Sequence, residues 1–385
     1  MRSAVCLHNA TLLTGFSAMP NCAVYIKKDK IADIYSETRF AQKKFGSDVK
    51  MIDVKGSYIA PGFIDTHIHG IGGYSTDDAS IRSILKMSKF LTQFGVTSFI
   101  PTICASPEKE LMEKIKAILS AMGKEKGARI LGIHLEGPFI SQEKIGGQEK
   151  TGISPVDLEY LKRIISAGKG HIINMTVAPE IKHMRDLALK CLEAGIILQA
   201  GHTNATYSQM IEGMQAGIFH TTHMFNAMRP LHHREPGTVG AVLTHPELSC
   251  EIIGDGIHVH PDLFALLTKC KPINQIVLIT DSLKYAKAKI PENIDLYFDQ
   301  CFKRKSDDTI MGSGISMLDG FQNLIKFGVR LEDAVQTATS NPARIMHQNN
   351  IGSIVPNYDA DLIVMDKHFS LQMTMIKGKI ISSYL

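Results

Sequence analysis

The sequence predicts an α/β chain: a (β/α)8 TIM-type barrel with a small β-sandwich domain built from both chain termini. Three observations predict it. Short apolar runs alternate with helix-like stretches through the middle of the chain. Eight such runs can be counted, and both ends carry a different, β-rich texture. Near-continuous hydrophobic strands separated by helices mean a parallel sheet covered on both faces. Eight such units in about 280 residues match a closed barrel in size. A doubly wound open sheet is the runner-up, but it calls for a Gly-rich phosphate loop after its first strand, and GFIDTHIHG is not one.

Taken in order, residues 1–57 read as short strands and turns. AVYIKKDKIADI alternates around a charged turn, and VKMIDVKG reads as a further strand. The barrel begins with SYIAPGFIDTHIHG, an apolar run ending in polar residues, and DASIRSILKMSKFLTQFG follows with helical spacing. TSFIPTIC is the second strand, and PEKELMEKIKAILSAMGK opens on proline as an amphipathic helix. RILGIHLEGPF, HIINMTVAPE, IILQAGHTN, IFHTTHMFNAM, SCEIIGDGIH and QIVLITDS supply the remaining strands, with helical stretches such as HMRDLALKCLEAG and PDLFALLTKC between them. GSIVPNYDADLIVMD and QMTMIKGKIISSYL return to the texture of the N-terminus. The expected division is therefore residues 1–57 plus 346–385 as one β-domain and residues 58–345 as the barrel.

Composition excludes several functions. Of 385 residues, 44% are apolar and 21% charged, close to the globular average, which argues against disorder. The net charge of +4 is spread along the chain, and no Lys/Arg run interleaves with aromatics, so nucleic acid is not an expected partner. The seven cysteines are scattered and never form Cys-x-x-Cys, which suits free thiols in a reducing compartment. MRSAVCLHNATLLTG lacks the apolar core of a leader, and no apolar stretch is long enough to span a membrane. A soluble cytoplasmic protein is expected.

The polar residues fall at strand ends. His67 and His69 end the first strand, His134 and Glu136 the third, and His202 the fifth. His223 ends the sixth, Asp255 and His258 the seventh, and Asp281 the eighth. The C-terminal strand ends of a (β/α)8 barrel converge on one mouth, where active sites are built. His67 and His69 share a strand face, and Asp65 points with them but deeper, as a hydrogen-bond partner of the site. Imidazole and carboxylate are ligands for Zn or Fe. A buried Glu136 needs a cation or a proton. Singly, each has an ordinary structural role: His202 at a helix start, His223 in the core, Asp281 as an N-cap. Their joint occurrence at separate strand ends points to a metal centre. Beside a dication, Asp281 can take the proton of an activated water and pass it to a leaving nitrogen. The loop FNAMRPLHHREPG adds Asn226, Arg229, His232, His233 and Arg234, and arginine suits phosphate recognition.

PGFIDTHIHG, HLEGPF, AGHTNATY, THMFNAM, HREPG, GDGIHV and LITD, in that order, resemble the N-acetylglucosamine-6-phosphate deacetylases of the amidohydrolase superfamily. The resemblance runs from about residue 58 to 345. It implies hydrolysis of the acetamide by a metal-activated water, releasing acetate and glucosamine 6-phosphate. It implies one or two divalent ions, Zn or Fe foremost, with Mn, Co or Ni also able to serve. His67, His69, Glu136, His202 and His223 would be the ligands, with Glu136 bridging, and Asp281 the general base. Asn226, Ala227, Arg234, His258, Gln148 and Ile315 would contact the substrate, Arg234 reaching across from the neighbouring subunit of a homodimer. Three places depart from the family pattern. Gln148 stands where a histidine is usual, the segment SLKYAKAKIPENIDLYF follows Asp281 in place of a Gly-rich stretch, and Ser316 replaces a threonine in GSGISM. The galacto epimer of the substrate, another amidohydrolase reaction using a carboxylated lysine, and a catalytically dead barrel are the alternatives.

Overall fold

The computed structural model describes residues 4–384. Residues 1–3, at the start of the segment read for a leader, and residue 385 lie outside the described residues. All eight expected barrel strands are present: β1 (Phe63–Ile68), β2 (Val96–Cys104), β3 (Ile133–Glu136), β4 (Ile172–Val177), β5 (Ile197–Ala200), β6 (His220–Thr221), β7 (Ser249–Ile253) and β8 (Ile276–Ile279). Neighbours pair in parallel in chain order. The gap between β8 and β1 is closed by single bonds, Asp281 N–H to His67 O at 2.9 Å and His69 N–H to Ser282 O at 3.1 Å.

Each strand leads to an outer helix, because the intervening sequence changes from continuous apolar runs to a spacing of three and four. Ile84, Met87 and Leu91 form the buried stripe of Ile81–Leu91, and Leu111, Ile115 and Ile118 that of Glu108–Ala121. Starts are set by capping side chains. Thr206 with Gln209 and Ser316 with Asp319 both form reciprocal capping boxes. Serine and threonine cap alike, so the Ser316 departure keeps its structural task. The apolar layer between strands and helices is the main core.

The chain ends meet in one eight-stranded sheet. Tyr58–Pro61 is its hinge, parallel to Ala4–Leu13 and antiparallel to Leu362–Met365. Ile31 N–H donates to Tyr358 O and Asn357 N–H to Ile31 O, so the sheet curls back on itself around its own core of Leu7, Leu12, Val24, Ile31, Leu362 and Met373. Arg129, entering β3, ties this sheet to the barrel by pairing with Asp359 at 2.8 Å and with Asp361, while Lys30 reaches Asp359 at 2.6 Å. The sequence reading placed no elements in the segment that directly follows Asp281. A small sheet of three-residue strands, Tyr297–Asp299, Cys301–Lys303 and Ile310–Gly312, stands there; strands so short and charged carry too little alternation to be read.

Candidate metal centre and active site

Period two along β1 places His67 and His69 on the inner face, both buried. Glu136 is the last residue of β3 and is 2% exposed. His202, His223 and Asp281 follow the ends of β5, β6 and β8 with φ of 45°, 26° and 47°. A left-handed backbone is costly for non-glycine residues and persists where the surroundings enforce it, commonly at functional sites. Here it turns each side chain back over the barrel axis.

The six residues converge. Glu136 Oε1 lies 3.0 Å from His223 Nε2, 3.1 Å from His202 Nε2 and 3.4 Å from His67 Nε2, and Oε2 lies 3.3 Å from His69 Nε2. Asp281 Oδ1 sits 3.3 Å from His69 Nε2 and 3.5 Å from His67 Nε2. Three overlapping sets of three form: Glu136–His202–His223, His67–His69–Asp281 and His69–Cys104–Glu136. All four rings turn Nε2 inward because Nδ1 is engaged outside: His67 with Glu251 Oε2 at 2.9 Å, His69 with Cys104 Sγ at 3.2 Å, His202 with Lys144 O at 3.0 Å and His223 with Asn226 O at 3.2 Å.

This arrangement fits a divalent ion. Ligand atoms on a tetrahedral ion with bonds of ~2.0–2.2 Å stand ~3.3–3.6 Å apart, and the separations here run from 3.0 to 3.5 Å. His67 Nε2 is buried without a hydrogen-bond partner. Glu136, Asp281 and Glu251 are buried carboxylates that, among the described residues, pair with no lysine or arginine. Burial opposes charge on the His67 ring, yet Glu136, Asp281 and Glu251 hold its pKa well above the usual value. Burial likewise pushes Glu136 and Asp281 up, but His67 and the neighbouring imidazoles outweigh it and keep both below the carboxylate range. Four inward Nε2 atoms and two carboxylates make a cage, a donor set that suits a divalent cation.

A cavity of ≈450 Å³ opens above the cage. Gln148, Asn226, Ala227 and His258 line this cavity with the cage residues other than His67; Arg234 and Ile315 do not. Arg234 lies on an exposed loop beside His233. Gln148 donates from Nε2 to Glu136 Oε2 at 2.5 Å and accepts from Ala105 N–H at 2.9 Å, so it braces the carboxylate as well as facing the cavity. Asp255 does not enter the cage; its Oδ2 holds His258 Nδ1 at 2.6 Å. Asp65 touches no ring. Its carboxyl, pushed up to about 7 by burial, accepts from Thr280 Oγ1 and N–H and from His67 N–H, sewing β8 to β1. Leu283, Lys284 and Tyr285 of the atypical segment also line the cavity, and Lys284 pairs with Asp78 at 2.5 Å. Gly70 permits this, since a Cβ there would stand 2.8 Å from Lys284 Cα.

Sequence reasoning missed Cys104, Lys284 and Glu251. For Glu251 a signal existed: it is the one charged residue within the apolar β7.

A parallel barrel with imidazoles and carboxylates caged at its mouth defines a metal-dependent hydrolase. Comparison with known proteins narrows this. The amidohydrolase family pattern matches residues 58–381, and the chain belongs to that family, which implies a divalent metal site. It is 30% identical over 381 residues to N-acetylglucosamine-6-phosphate deacetylase of Lysinibacillus sphaericus, covering 97% of each chain. The crystal structure of the Pasteurella multocida enzyme of that name superposes with a TM-score of 0.91 at 26% identity, covering 99% of this chain and 100% of the other. A mutant of the Mycobacterium smegmatis enzyme in complex with N-acetyl-D-glucosamine-6-phosphate gives a TM-score of 0.90 at 26% identity, with coverage of 99% and 100%.

Proposed function

We propose that this chain hydrolyses the acetamide of N-acetylglucosamine 6-phosphate to acetate and glucosamine 6-phosphate, with His67, His69, Glu136, His202 and His223 holding one or two divalent ions. The carrying observation is the convergence of four Nε2 atoms on Glu136 with Asp281 beside them. A bound ion, Zn or Fe foremost, supplies Lewis acidity that activates water and polarises the carbonyl.

The chain's own residues do the rest. Asp281 is pinned by its N–H to His67 O at 2.9 Å and kept ionised by the neighbouring imidazoles, so it accepts the water's proton as the oxygen adds to the carbonyl carbon. The C–N bond then breaks, and Asp281 returns that proton to the amine nitrogen. Asn226, Ala227 and Gln148 line the cavity and orient the sugar. Asp255 opposes the burial of His258 and raises its pKa, favouring a cationic ring for the phosphate. Arg234, free of the cavity on its exposed loop, would reach the phosphate of a neighbouring subunit in a homodimer.

The separate core of the terminal sheet supports two domains, with the expected division of 1–57 plus 346–385 from a site-bearing barrel of 58–345 adjusted so that Tyr58–Pro61 goes with the terminal sheet. Seven unpaired cysteines support a reducing, cytoplasmic setting, and no helix among the described residues is long and apolar enough to cross a membrane.

The test is acetate release from the gluco and galacto 6-phosphates after chelation and reloading with Zn, Fe, Mn, Co or Ni in turn. Chelation should abolish turnover, reloading should restore it, and the gluco substrate should be preferred. A fully loaded protein that releases no acetate from either substrate would overturn the proposal.

A further inference from the structure

Glu251 is the strangest residue of the barrel wall. It sits mid-strand on β7 with no exposure and no lysine or arginine partner among the described residues. Its Oε2 accepts from His67 Nδ1 at 2.9 Å and from the backbone N–H of His223 at 3.4 Å. Its Oε1 has no hydrogen-bond partner, and neither has His220 Nε2, 3.7 Å away. An isolated buried carboxylate is expensive, so something must offset it.

The four cage imidazoles supply the clue. Three engage neutral groups at Nδ1: the Cys104 thiol and the Lys144 and Asn226 carbonyls. His67 alone engages a carboxylate. A neutral acceptor fixes the tautomer; an anionic one also raises the basicity of the nitrogen on the far side of the ring. Glu251 further touches a residue of two of the sets, His67 of His67–His69–Asp281 through its ring and His223 of Glu136–His202–His223 through its backbone.

We infer that Glu251 is the positioning residue of the His67–His69–Asp281 metal position, acting through the His67 ring to aim and strengthen Nε2. This rests on the metal reading above. Loss of such an outer partner costs ~10–100-fold in metal affinity.

The test is chelator competition and metal stoichiometry on the full chain. Glu251→Gln preserves shape and removes charge. It should weaken one bound equivalent of Zn or Co by ~10–100-fold and leave the other, held by Glu136, His202 and His223, unchanged. The Co-loaded protein should show a changed visible absorption for the affected ion only. Glu251→Asp, which keeps the charge, should recover part of the loss, and this comparison stands if the glutamine variant does not accumulate. In a His67→Asn background, Glu251→Gln should cost nothing more, because the route through the ring is already gone. Equal losses with and without His67, or no loss from Glu251→Gln in the otherwise unchanged chain, would overturn the inference. A wild-type chain that binds no metal would instead sink the underlying metal reading, so the two failures are distinguishable.

Discussion

The barrel interior holds two buried polar clusters, carried in part by the same strands, and they differ in kind. One is the cage of four imidazoles and two carboxylates at the strand ends. The other is a neutral network below it. There His134 Nδ1 meets Thr102 Oγ1 at 3.0 Å, while its Nε2 faces Thr176 Oγ1 at 2.8 Å and Gln199 Nε2 at 3.1 Å. Gln199 also donates to Thr222 Oγ1 at 2.7 Å and accepts from Asn174 at 2.9 Å. Burial pushes the His134 imidazole down to about 3, keeping it neutral, whereas His67, 4.7 Å away ring to ring, is held well above its usual value. Both rings are fully buried. What separates the structural imidazole from the proposed ligand is therefore the charge of its partners: hydroxyls and an amide satisfy His134, whereas carboxylates surround His67.

The largest expected effect breaks the cage while leaving its metal. Asp281→Asn should lower kcat by about 10²–10⁴-fold with metal content unchanged by elemental analysis; an active, metal-replete variant would remove Asp281 from the reaction. Next, His202→Ala or His223→Ala should lower metal content and activity in parallel, and full occupancy with lost turnover would contradict the ligand assignment. In the neutral cluster, His134→Leu removes one hydrogen-bond partner each from Thr102, Thr176 and Gln199 and should cost about 1–3 kcal/mol in urea unfolding without changing metal stoichiometry. Metal loss there would erase the distinction between the clusters.

The smallest effect comes from a charged control away from the axis. Burial pushes Asp359 up, but Lys30 and Arg129 outweigh it and hold it below 3.8. A depressed carboxyl contributes stability present above its unfolded value and lost as pH falls through the folded one. Asp359→Asn should thus cost about 1 kcal/mol near neutrality, the pair being partly screened by solvent. The gap from wild type should close below about pH 4. A gap that persists in acid would mean that packing, not charge, holds the sheet to the barrel.

Much of this was legible in the linear chain. Alternating apolar runs and amphipathic stretches specify strands and helices, because burial on both faces or on one stripe demands those patterns. Residue type at the strand ends specified the chemistry, and the period of two put His67 and His69 on one face. The segment after Asp281 was not legible, since its short charged strands gain their order from packing over the cavity.

Only the tertiary structure decided depth and partnership. His134 and Glu136 share a face of β3, yet one joins the neutral network and the other the cage. Asp65, expected deeper than the rings as a hydrogen-bond partner, finds that partner in Thr280 and so joins β8 to β1, and the ring of His67 leans on Glu251, 184 residues away. A strand's sequence fixes which side a residue faces, but the stagger of closed strands fixes its height along the axis and what it meets there. That stagger belongs to the closed sheet as a whole, and no single stretch of sequence contains it.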